Sequence, residues 1–159
     1  MAGTAIDTQR IGSRFFIDTY DHDPSGTSAT VVSPDGGTTK YILDMRDYRG
    51  VLYHAETSVS ASSSGITKAE IVAYEDSAGA GTAYVIKDSG TVAADAVGDI
   101  VRVECSAAEI AQVGGENDKN LRYVTLRLTC SNAGDEARVA VVAEASRAYG
   151  DLSADTNIS

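Results

Sequence analysis

Cys105, Cys130, His22 and His54 are the only thiols and imidazoles in this chain, and so the first candidates for nucleophilic or metal chemistry. A zinc site would need both histidines to converge with a carboxylate, and two cysteines are too few to make one. Nucleophilic catalysis needs a serine or cysteine beside a base. Neither cysteine has a histidine nearby in sequence, and no Gly-x-Ser-x-Gly elbow occurs. His54 lies within a strand-like run and faces opposite to Tyr53, so it reads as a solvent- or interface-facing residue. Each cysteine falls on the apolar face of a predicted strand and reads as a buried free thiol. A disulfide linking the two strands is the alternative reading.

Asp21-x-Asp23-x-Ser25-Gly26 resembles the start of a calcium loop, in which alternate oxygens converge on a hard cation. Pro24 stiffens its fourth position, and Val32 stands at the twelfth, where a bidentate glutamate belongs. Asx-turn chemistry explains the same residues. Gly79, Gly81 and Gly90 sit in no phosphate-binding spacing and read as turns. The sequence therefore predicts no catalytic residue, no metal ligand and no cofactor, and the chain reads as a non-enzyme.

The elements that would position any site are β-strands. From Leu121 to Cys130, Val124, Leu126, Leu128 and Cys130 alternate with Tyr123, Thr125, Arg127 and Thr129, which is the period of a half-buried strand. A turn-like segment follows, then a second β-rich run from Arg138 to Ser146. The spacing predicts that Leu121–Ser146 is a β-hairpin at the centre of the fold. Its outer face, with Tyr123 and Arg127, could meet a second copy.

Further strands are predicted at 40–46, 51–60, 67–75, 82–87 and 99–105, and 29–32 as a short edge strand. One helix is expected. Ser106-Ala107-Ala108-Glu109 fits a capping box, Ile110 and Val113 recur at helical spacing, and Gly114-Gly115 supplies a stop. The fold class is all-β and mainly antiparallel: a β-sandwich or jelly-roll-like barrel with one short helix and extended termini. The expected division is an N-terminal arm over 1–20, a sandwich domain over 21–150 and a tail over 151–159.

Composition narrows the function. The 159 residues suit one domain, and 43% hydrophobic content is enough for a core. That content is mostly alanine and valine, with no tryptophan and two phenylalanines, which predicts a thin core between β layers. A net charge of −10 argues against nucleic acid, because phosphate contacts need clustered lysine and arginine. The longest purely apolar run is 139–143, far short of the roughly 20 residues of a membrane span. Met1–Ala5 has no basic region leading into an apolar stretch, so it does not read as a signal peptide.

Two stretches carry a family resemblance. One runs from Lys87 through Gly90, Asp95 and Gly98 to Asp99, and on through Val103-Glu104-Cys105-Ser106-Ala107-Ala108-Glu109-Ile110. The other starts at Leu121-Arg122-Tyr123-Val124 and continues through Asp135-Glu136-Ala137. Their pattern is similar to that of small virion structural proteins of tailed bacteriophages. The resemblance implies a β-rich, homo-oligomeric protein of the virion, of the capsid cement or decoration type, whose partners are the major capsid protein or other virion proteins. A tail or connector component and a carbohydrate-binding sandwich are the alternatives. No active-site residues come with the resemblance. For contacts, the expected side chains are Arg10, Arg14, Phe15, Phe16 and Tyr20 of the arm, because arginine and aromatic residues are enriched at interface hot spots. Phe15 and Phe16 equally suit the domain's own core.

Overall fold

The computed structural model describes residues 15–22, 30–32, 41–60, 65–132 and 134–145. Alternation builds its sheets. On β4 (Tyr48–Val59), Val51, Tyr53, Ala55 and Thr57 point inward and are buried, while Leu52, His54 and Glu56 point outward. β7 (Ile100–Ser106) buries Val101, Val103 and Cys105 and exposes Arg102 and Glu104. β9 (Glu136–Ala145) buries Ala137, Val139, Val141 and Ala143. With β1 (Phe15–His22) these strands form one antiparallel sheet in the order β1-β9-β4-β7.

The second sheet has the order β2-β8-β5-β6, from β2 (Thr30–Val32), β8 (Tyr123–Cys130), β5 (Ile66–Tyr74) and β6 (Tyr84–Asp88). A two-residue strand, β3 (Leu43–Asp44), also pairs with β8, beyond β2. The pairings β1–β9, β2–β8, β4–β7 and β5–β6 nest inside one another along the chain, like one long hairpin wrapped on itself. Contacts β9–β4 and β8–β5 then complete the two sheets. This is the two-sheet jelly roll.

The inner faces meet as a filled core. Val124, Leu126 and Leu128 of β8 and Ile71 of β5 are fully buried against Tyr53, Val139 and Val141 of the first sheet. Burying one such side chain contributes about 1.5–3 kcal/mol. The Tyr53 hydroxyl donates to the Val124 carbonyl at 3.5 Å, so the phenol's polar end finds a partner across the layer.

The expected all-β antiparallel class holds, but the central hairpin does not. β8 and β9 lie in different sheets, and the segment between them crosses from one layer to the other. A five-residue connection spans up to about 17 Å, against about 10 Å between packed sheets, so its length permits a crossover as readily as a hairpin turn. Cys105 and Cys130 consequently sit in separate sheets, and both are free and buried.

The strand expected over 40–46 is cut to Leu43–Asp44. The Asp44 carboxylate accepts from the Arg46 amide at 3.0 Å and caps a 3-10 turn, Met45–Asp47. Residues 15–20, assigned to the arm, lie in β1.

The helix α1 (Ala107–Asn117) starts where expected, with both arms of the Ser106–Glu109 capping box in place. It does not stop at Gly114-Gly115. Gly114 is buried inside the helix, and a Cβ there would come within 2.6 Å of the Lys119 carbonyl oxygen. The helix ends instead at Asp118, in the left-handed conformation at φ 54°.

Candidate interaction surfaces

The outer face of the second sheet is largely buried within the chain. Val72 and Thr125, paired across β5 and β8, are fully buried, and Tyr74 is 2% exposed. Toward β6 a charge ladder crosses the strands. Arg127 Nε donates to Glu70 Oε2 at 2.8 Å, and Lys68 Nζ reaches both Glu70 at 2.8 Å and Asp88 at 2.7 Å. Burial works to raise the Glu70 pKa, but hydrogen bonds from Arg127 and Lys68 outweigh it, and the carboxyl is held below its ordinary value. At the other end of β8, Arg122 forms a two-pronged pair with Asp44 and lies 5.1 Å over the Tyr123 ring. The Arg122 hydrogen bonds hold the Asp44 carboxyl well below the usual carboxylate range.

Tyr123 and Arg127 are therefore half-buried and already engaged inside their own sheet. Tyr20, on β1, stacks on Tyr41 with ring centroids 4.6 Å apart, and the Tyr41 hydroxyl donates to Asp18 Oδ2 at 3.0 Å. Arg10 and Arg14 lie outside the described residues, as do the side chains of Phe15 and Phe16. Asp21, next to last in β1, is exposed, and Asp23, its partner in the calcium-like spacing, lies outside the described residues.

The two histidines are on opposite faces of the first sheet. His22 pairs with Ala137 and is fully buried on the inner side; His54 pairs with Ala140 on the outer side. They cannot share a metal ion. Among the described residues no group of three His, Cys, Asp or Glu side chains is placed to hold one. Burial pushes the Cys105 thiol up to about 12 and the Cys130 thiol up to about 11, so neither carries thiolate at neutral pH.

The outer face of the first sheet differs from that of the second. Leu52, Ala140 and Val142 form its half-exposed centre, with charged side chains at both ends. At the Gly50 end the face deepens into a groove of about 480 Å³, walled by Leu52, Val142, Glu104 and, from β6 and α1, Lys87 and Glu109. Its cations are matched: Lys87 pairs with Glu109 at 2.8 Å and Arg49 with Glu144 at 2.8 Å. At the opposite end, Ile100 is 45% exposed and Val97, in the turn before β7, is 67% exposed. Residue spacing alone assigns none of these side chains to a contact surface. The available signal was the apolar Leu52 and Val142 on the faces opposite Tyr53 and Val141.

No protein-family model matches the chain, and no curated protein matches its sequence. Among solved structures, the SPBc2 prophage-derived protein YomS is similar at 9% identity, covering 82% of this chain and 95% of that one, with a TM-score of 0.42. The infectious bursal disease virus VP2 subviral particle is similar at 11% identity over 86% of this chain, with a TM-score of 0.40. This chain spans about a third, 34%, of the VP2 chain's length. Both likenesses are remote in sequence and loose in superposition.

Proposed function

We propose that this chain is a non-enzymatic virion structural protein of the capsid cement or decoration type, which binds assembled phage heads and braces neighbouring capsid subunits. The observation that carries the reading is a jelly roll whose interior is filled by its own side chains, from Tyr53 and Val141 to Leu126 and Ile71. The jelly roll serves capsid proteins, lectins and cupins alike. A cupin keeps ligands inside its barrel, and here that space is core. A lectin of this fold would present aromatic rings to a sugar; Tyr20, Tyr41 and Tyr123 have partners within the chain, and Tyr48 and Tyr84 pack partly buried against the core. Both features support a rigid body that works through its surfaces. The phage-like pattern of 87–110 and 121–137 supports placing that body in a virion.

The test is to mix the purified full chain with phage heads, pellet the heads, and image them. Saturable retention at regular lattice positions, with heads more resistant to heat, is the expected result. Copies on tails alone would overturn the cement reading in favour of a tail component. Retention on a glycan array with none on heads would overturn the virion reading.

A further inference from the structure

We infer that the outer face of the first sheet is a self-association surface, whose occupant is the same face of a second copy of this chain. Charge and shape on this face are placed symmetrically about one line. Tyr53, Val103 and Val141 are directly paired across β4, β7 and β9 and define the middle row of the sheet. A two-fold axis lying in the interface across this row, perpendicular to the strands, would lay each strand on its own copy, running antiparallel.

About that axis, Arg102 and Glu104 exchange places on β7, one residue either side of Val103. On β9, Arg138 and Glu144 exchange, three residues either side of Val141. On β4, Arg49 lies four residues before Tyr53 and Glu56 three after, with a bulge at the Arg49 end. Each of these three strands, though not the edge strand β1, thus carries arginine on one side of the middle row and glutamate on the other. Face-to-face stacking sets every arginine opposite a partner glutamate. Three arginines face three glutamates, with Asp21 of β1, 3.7 Å from Arg138, as one further carboxylate, on a chain whose net charge is −10. Stacked sheets cross at about 30°, an offset that long arginine and glutamate side chains can span.

The shape follows the same symmetry. Leu52 and Val142 of one copy meet His54 and Ala140 of the other, close to the axis. Ile100, 45% exposed, exchanges with Ser106 and so falls at the partner's groove beside Leu52 and Glu104. The described patch is roughly 15 by 24 Å, well below the ~800 Å² per partner of a stable interface. The association is therefore weak and depends on concentration.

Sedimentation equilibrium of the purified full chain, without capsid, tests this independently of the head-binding reading. The wild type should pass from monomer to dimer as concentration rises toward ~1 mM, the scale of an association worth about 4 kcal/mol. Arg102→Glu and Glu104→Arg should each weaken dimerisation at least about tenfold. The double swap R102E/E104R, with unchanged net charge, should restore it. Should either single variant fail to fold, Arg138→Glu, Glu144→Arg and their double swap apply the same test on β9. A wild type that stays monomeric, single variants that dimerise normally, or a folded double swap that stays monomeric would each overturn the inference.

Discussion

Val72 on β5 and Leu52 on β4 hold equivalent places, each on the outer face of a central strand of its sheet. Val72 is fully buried, whereas Leu52 is half-exposed. The same contrast runs along the sheets: Tyr74, Thr125 and Glu70 are buried on one outer face, while Arg102, Glu104 and Arg138 are exposed on the other. One sheet is covered on both sides and serves the fold. The other is covered on its inner side and leaves its outer face in contact with solvent. Symmetric topology therefore does not make the two faces equivalent.

The sharpest way to break this contrast is to place the same charge at both positions. Val72→Asp would bury a carboxylate where the neighbouring cation, Arg127, is already engaged by Glu70, and should remove several kcal/mol, a large part of a domain's ~5–15 kcal/mol. Leu52→Asp should stay within about 1 kcal/mol of the wild type. Thermal unfolding followed by circular dichroism reads both, and equal losses would erase the distinction between the faces.

Arg127→Glu comes next. It sets a second carboxylate against Glu70, whose side chain is 7% exposed, and should cost about 2–4 kcal/mol. A variant with wild-type stability would mean that the ladder contributes nothing to the covered face.

Acid should act more gently. The Lys87 hydrogen bond, with help from Ser106, holds the Glu109 carboxyl down at about 2, and the Arg122 pair holds Asp44 lower still. Both groups are depressed, so their stabilisation is complete above the unfolded carboxylate range near 4 and is lost as pH falls toward 2. The melting temperature should decline over that window. Glu109→Gln should make the decline shallower, with a loss at neutral pH of about 1 kcal/mol or less, because the side chain is 39% exposed. The smallest effect is expected at the thiols. Cys105 and Cys130 should resist a thiol reagent at pH 8 until the protein unfolds, and unreduced samples should melt like reduced ones.

Much of the fold was legible because strand alternation is local. The inward set of β8, the opposed faces of β4 and β7 and the Ser106–Glu109 cap all follow from side-chain spacing. Partner choice is not local. β9 pairs with β1, well over a hundred residues earlier, and nothing in Ser131–Asp135 says whether the chain folds back or changes sheet. The truncation of the strand at Asp44 turns on one carboxylate reaching an amide two residues on. The passage of α1 through Gly114 turns on a close approach by Lys119. Both are three-dimensional facts that residue spacing leaves open. The candidate surface was hidden for the same reason: Arg102, Arg138 and Arg49 become a pattern only once the register aligns their strands.

The central claim is that this filled jelly roll is a head-binding virion protein. Imaging phage heads incubated with the purified chain tests it most directly. The account predicts added density at regular positions on the head exterior, saturating with concentration. Bare heads, with all of the protein left in solution at saturating concentration, would contradict it.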